Sequence, residues 1–238
     1  DIYIIKPVFF EEKLEGYVTT LCHHNDVGGI TAGSNAVFAK EICQEGIRIP
    51  LVKFYDKGQV NNIVLEFIAK NVRIPVEILG DLNSQVSACW SAEKQFLDLL
   101  EKYGSKILRL YTNEMLDLTE RVMRDVIKDI PDGVYENHDF IDGFGENPEP
   151  IRFQVKITVN GDEMTVDWTG TSPQVPAAIN APVPWTFSHT YIAMRCLVNM
   201  DIPSAEGYMR PINVVVPSGT VLNPKFPGAA NARGISNP

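Results

Sequence analysis

The residues of this chain best suited to chemistry are Cys22-His23-His24-Asn25-Asp26-Val27-Gly28-Gly29, where two of the four histidines stand side by side, two positions before an aspartate. Imidazole nitrogen and carboxylate oxygen are the donors that hard and borderline divalent metals use. A Gly-Gly step lets backbone approach a ligand, or turn through positive φ, without a Cβ in the way. The same residues also fit a plain structural role in which His23 and His24 end a strand and Asp26 caps a turn. Cys22 adjoins them and offers a thiolate ligand or nucleophile, with a small buried side chain as the preferred reading.

The elements that must position this run are β-rich. Ile2–Phe10 and Gly16–Cys22 are apolar runs joined by the polar connector Glu11-Glu12-Lys13-Leu14-Glu15, which predicts a β-hairpin. With the turn centred on residues 11 to 13, paired positions sum to about 23 or 24, placing Asp1 opposite Cys22 or His23. Cross-strand neighbours have Cβ atoms ~5 Å apart, within reach of a shared metal.

Further along, Asn61–Lys70 has helical spacing, with Ile63, Val64, Phe67 and Ile68 apolar. Asn71-Val72-Arg73-Ile74-Pro75 leads out of it, and Gly80-Asp81-Leu82 opens the next helical stretch. Trp90–Tyr103 predicts an amphipathic helix ended by Gly104, and Asn113–Ile130 predicts a second, ended at Pro131-Asp132-Gly133. Their Met and Leu stripes are packing surfaces. After about residue 134 the character changes to a Gly-rich acidic connector. Ile151–Val159 and Glu163–Thr169 then alternate around Asn160-Gly161, a strong hairpin signal. Thr186–Met200 predicts a helix carrying His189, and Ile212–Val216 a strand. The fold class expected is mixed α/β (α+β): hairpins with two long amphipathic helices, then a β-rich half. Residues 1–145 and 146–238 are expected to be successive parts of one domain.

Bulk properties narrow the function classes. With 238 residues and 45% hydrophobic content the chain can build a substantial core. A net charge of −9 argues against nucleic acid, and no apolar run approaches the ~20 residues of a membrane span. Cys22, Cys43, Cys89 and Cys196 are widely spaced without a CxxC, the pattern of reduced thiols in a cytoplasmic protein. The sequence starts without a methionine in what reads as a strand and ends in loop, so it is read as an internal segment of a longer polypeptide.

Other motifs carry less. Asp139, Asp142 and Glu146 lack the alternating ligand spacing of a calcium loop and read as a solvated connector. Gly143-Phe144-Gly145 is too short for a phosphate fingerprint, and no Gly-Lys-Ser/Thr phosphate loop occurs. His138 and His189 are isolated and read as structural.

Taken in order, the landmarks form a pattern. His23 to Gly29 with Gly33-Ser34 is followed by Gln44-Glu45-Gly46-Ile47-Arg48-Ile49-Pro50, Asn71 to Pro75, and Gly80-Asp81-Leu82 with Gln85. Then come Glu120 with Arg124, Pro131-Asp132-Gly133, Asp167-Trp168-Thr169-Gly170-Thr171-Ser172 and Arg210-Pro211-Ile212. This series resembles the hydantoinase B/oxoprolinase family, with Ala32 standing where the family usually has proline. The resemblance implies an enzyme component that opens cyclic amides such as hydantoins or 5-oxoproline. The substrate would be activated by a hydantoinase A-type partner that binds ATP, within a hetero-oligomer. Ketone carboxylation in an acetone carboxylase-type complex, and a non-catalytic scaffold role, are the alternatives. The resemblance also implies a divalent metal (zinc, manganese or iron) with Asp1 and His23 as ligands. Asp26 is then a candidate for a metal, supporting or proton-transfer role, His24 for a further ligand or a catalytic group, and Arg48 and Arg73 for holding an anionic intermediate. Surface ion pairing is the alternative for either arginine.

Overall fold

A computed structural model describes residues 2–144 and 148–231. The fold is the expected mixed α/β class, divided into two compact units: residues 1–35 with 45–111, and residues 36–44 with 112–238. The expected division between residues 145 and 146 lies between two strands of one sheet.

In the first unit, β1 (Ile2–Phe10) and β2 (Lys13–Cys22) form the predicted antiparallel hairpin. The register runs from Ile2 opposite Cys22 to Val8 opposite Gly16, then shifts by one at a bulge between Val8 and Phe9. Glu11 and Glu12 both adopt positive φ, 49° and 61°, as a two-residue turn matched to strand twist requires. The chain then runs through two short strands, β3 (Tyr55–Asp56) and β4 (Gln59–Val60), into α1 (Asn62–Asn71). The Asn61 side chain caps α1 by accepting from the Val64 N–H.

Helix α2 (Pro75–Lys128) begins on a proline, whose missing N–H is no loss in a first turn. The two expected helices are its two parts. Gly104 leaves helical geometry (φ 76°, ψ 153°), but the chain resumes the helix at once, so the predicted cap is a local break and not an end. Ile2, Ile4, Val64 and Ile74 pack around buried Ile68, Val72, Ile78 and Leu82. Gln85 donates to the Ile2 carbonyl at 2.9 Å, tying the hairpin to the helix. The odd-numbered side chains of β1 (Tyr3, Ile5 and Phe9) face solvent.

The second unit is built on a four-stranded sheet of order β5 (Gly133–Ile141), β6 (Ile151–Asn160), β7 (Glu163–Asp167) and β8 (Ile212–Val215). Strand β5, which contains Asp139, replaces the first part of the expected solvated connector; Gly145 and Glu146 lie outside the described residues. The β6–β7 turn is centred on Gly161-Asp162, one residue later than Asn160-Gly161 suggests, with Gly161 at φ 62°. The pairing of β7 with β8 is parallel, and α3 (Val183–Arg195) lies in the connection between them. Met123 and Ile127 of α2, Phe153, Val159, Val166 and Trp168 of the sheet region, and Ile179, Val221 and Leu222 form its core. Residues 36–44 join this unit through Ala36 and Ala39, which pack on Ala178 and Ala229. No helix among the described residues is long and apolar enough to cross a membrane.

Candidate functional site

Strand alternation sorts the residues at the end of β2. Side chains two apart share a face, and His23 is exposed while His24 is only 3% exposed. Cys22 is half-buried and lies on the side of His24. Across from them, near the start of α2, is Asp81. The Cys22 thiol sulfur, a His24 ring nitrogen and an Asp81 carboxylate oxygen all lie within 4.8 Å of one another. Neither His24 ring nitrogen makes a hydrogen bond of ordinary geometry. Burial lowers the His24 pKa, with the nearby Asp81 charge acting against it, so the imidazole is neutral at pH 7.

The loop that follows is organised by one carboxylate. Asp26 is 3% exposed. Its Oδ1 accepts from the Gly28 N–H at 2.9 Å and the Arg73 N–H at 3.1 Å. Its Oδ2 accepts from the Gly33 N–H at 3.0 Å and Arg73 Nη1 at 2.9 Å. Burial alone would raise its pKa, but the Arg73 and Gly28 amides, the Arg73 guanidinium and the Gly33 amide together lower it to about 2. Arg73 Nη2 also donates to the Gly29 carbonyl at 2.6 Å. Ser34 Oγ accepts from the Val27 N–H and donates to the Gly28 carbonyl, closing the loop on itself.

Close backbone packing explains the glycines. Gly28 has φ 87°, and a Cβ there would stand 2.5 Å from the Asn71 carbonyl oxygen. Gly46 has φ 150°, and its Cβ would stand 2.6 Å from the Val27 carbonyl oxygen. The Val27 carbonyl in turn accepts from the Ile47 N–H at 2.8 Å. The segments 25–34, 45–47 and 71–73 thus form one knot behind the histidines.

The structure therefore brings His24, Asp26 and Arg73 to one end of the hairpin and sets them to different tasks. The Asp26 lone pairs are occupied and its pKa is held down to about 2, an arrangement that fixes the loop. The Arg73 guanidinium is committed to Asp26 and Gly29. Arg48 is exposed just beyond Gly46, and Asp1 lies outside the described residues. Sequence reasoning took Asp81 only as a landmark, and set a thiolate-ligand reading of Cys22 behind a packing one. The available signal was the alternation of the strand, which puts positions 22 and 24 together. A separate cavity of about 380 Å³ on the second unit, between Asn160, Glu163, Arg210 and Asn213, is lined by none of these residues.

The sequence model of the hydantoinase B/oxoprolinase family matches residues 1–236. A protein from Pseudomonas sp. (strain NS671), named as the B-type component of a D-/L-hydantoinase, is 35% identical, aligned over 98% of this chain and 41% of its own length. The 5-oxoprolinase 1 of Arabidopsis thaliana is 32% identical over 94% of this chain and 19% of its own length. Among solved structures, the ATP-dependent caprolactamase from Pseudomonas jessenii superposes with a TM-score of 0.90 at 32% identity, over 96% of this chain and 40% of that one. The chain thus spans about two-fifths or less of the length of these relatives.

Proposed function

Because the chain belongs to the hydantoinase B/oxoprolinase family, we propose that it is the ring-opening component of an ATP-dependent cyclic amide hydrolase. The substrates are hydantoins, 5-oxoproline or related lactams, activated by a hydantoinase A-type partner that uses the ATP. The names of the hydantoinase, caprolactamase and oxoprolinase relatives support the substrate class. Two of them are named as subunits, which supports a hetero-oligomer.

His23 is the proposed ligand of a divalent metal, zinc, manganese or iron, together with Asp1. The fit on this chain is an exposed imidazole at the end of β2, reachable by an ion. When bound, such an ion supplies Lewis acidity toward a ring carbonyl and acidifies a coordinated water. The chain's own residues hold the setting for that chemistry. Asp26 and Arg73 act as positioning residues that fix the turn carrying the histidines. Arg48, exposed beside the same loop, is the proposed contact for an anionic activated intermediate. His24 stays buried and neutral behind His23.

The observation that carries this reading is the histidine pair at the end of the hairpin, braced by the Asp26–Arg73 knot, in a chain matched along its length by one family. The test is to supply the intact complex with ATP and, separately, hydantoin, 5-oxoproline, caprolactam and acetone, with and without bicarbonate. Ring opening of a cyclic amide, lost in His23→Ala, is the expected result. Bicarbonate-dependent turnover of the ketone alone would overturn the hydrolase reading, and full activity in His23→Ala would overturn the site.

A further inference from the structure

The inner face of the β2 terminus holds a set of donors that the proposed reaction does not use. His24 is 3% exposed, yet neither ring nitrogen makes a hydrogen bond of ordinary geometry, and the Cys22 backbone gives it a weaker contact. Buried polar atoms are nearly always well satisfied, because leaving one poorly partnered is costly. The Cys22 thiol makes only a weak contact, 3.6 Å to the His23 carbonyl. With Asp81 these groups bring one nitrogen, one sulfur and one oxygen within 4.8 Å of one another.

We propose that Cys22, His24 and Asp81 bind a thiophilic divalent cation of the zinc class, on the opposite face of the strand end from His23. Zinc takes this mixture of cysteine sulfur, histidine nitrogen and carboxylate oxygen, usually in tetrahedral geometry. Three protein ligands leave a fourth position for water. On binding, the Cys22 thiol gives its proton to solvent, the neutral His24 imidazole donates a ring lone pair, and Asp81 donates as the carboxylate. The two anionic ligands then balance the charge of the ion, so little net charge enters a partly buried site.

A site built this way ties the last residues of β2 to the start of α2. That junction is also held by Gln85, which reaches the Ile2 and Thr20 carbonyls, by the long Thr20–Gln85 and Asn25–Glu77 hydrogen bonds, and by apolar contacts. The cation therefore serves as a clamp under the histidine pair. It uses neither His23 nor Asp1, so it stands or falls separately from the ring-opening reading.

Cobalt(II) titration of the metal-stripped, full-length protein tests the proposal. The expected result is a thiolate-to-cobalt charge-transfer band in the near ultraviolet that saturates at one ion per chain. Cys22→Ser abolishes the band, and Asp81→Asn and His24→Gln weaken cobalt binding at least tenfold. His23→Ala leaves the band in place. A wild-type protein with no thiolate band, a band that survives Cys22→Ser, or a band lost in His23→Ala would each overturn it. Alkylation supplies a second readout that does not depend on a variant's folding. Zinc slows modification of Cys22 in the wild-type protein while exposed Cys43 and Cys196 react as before. Equal protection of all three thiols, or of none, counts against the site.

Discussion

Asp26 and Arg73 lie 47 positions apart and are joined twice, once through the Arg73 backbone amide on Oδ1 and once through its guanidinium on Oδ2. The arginine thus brings both its main chain and its side chain to a single buried carboxylate. With the Gly28 and Gly33 amides, every strong acceptor direction of Asp26 is taken. A carboxylate filled in this way is a keystone of the loop.

Replacing that carboxylate should therefore be costly to folding. Asp26→Asn puts amide hydrogens against an N–H or a guanidinium and removes the charge, at a cost of about 2–4 kcal/mol. The expected readout is a lower denaturant midpoint with an unchanged m-value. A midpoint like that of the wild type would refute the keystone role.

The same group sets an acid limb. Its folded pKa of about 2 lies below the ordinary 3.8. A depressed carboxylate stabilises the fold above its unfolded pKa, and that stability is lost as pH falls through the folded value. The contribution, up to about 2 kcal/mol, is complete above about pH 5 and fades between about pH 4 and pH 2. Stability measured by thermal melts across this window should fall more steeply in the wild type than in Asp26→Asn.

Two glycines at positive φ make a matched pair for testing the knot. Gly28→Ala drives a Cβ to 2.5 Å from backbone, whereas Gly58 (φ 78°) has nothing within 4 Å of its Cβ position. Gly58→Ala should cost only the conformational penalty of about 1–2 kcal/mol. Gly28→Ala adds a clash with the Asn71 carbonyl and should cost at least about 2 kcal/mol more, and ring-opening activity of the complex should fall with it. Equal melting temperatures for the two variants would show that the 71–73 segment does not press on the loop.

How far such features can be read from sequence depends on how local their causes are. The β1–β2 register was legible because a short polar connector between apolar runs leaves little freedom in the pairing, and the bulge at Val8/Phe9 accounts for both expected sums. The helical spacing of 61–70 was legible for the same reason, while the Asn61 cap is a finding of the structure. Strand β5 was not, because nearly all of its residues are exposed and Val134 to Phe140 show no burial alternation; its conformation comes from the β6 edge beside it. The histidine pair stood out as a pair, and the alternation of one strand separates its members. That Asp81 approaches His24, and that Arg73 closes on Asp26, are tertiary facts that no local spacing contains.

In the second unit, Gly207 is the most crowded of the described glycines. A Cβ there would run into the Leu116 carbonyl oxygen and stand 2.5 Å from Thr119 Oγ1. Nearby, Arg210 bonds Asp117 at 2.8 Å and Glu120 at 2.9 Å, and Glu120 also accepts from Arg124. Gly207→Ala must push this segment off α2, costing about 3 kcal/mol, and the two Arg210 ion pairs open with it. Calorimetry of the variant at low and high salt gives the check: the salt dependence of its melting temperature should be smaller than that of the wild type.

The parallel pairing of β7 and β8 has a kinetic consequence. Antiparallel neighbours in this sheet meet across a turn or a short connection, but Met164 meets Ile212 only after the whole connection carrying α3 has been laid down. Loop closure of that span must precede any hydrogen bonding across it. Among the strand pairs of this sheet, the β7–β8 ladder therefore carries the largest loop-closure cost, and the packing of Ile212 against the core depends on it.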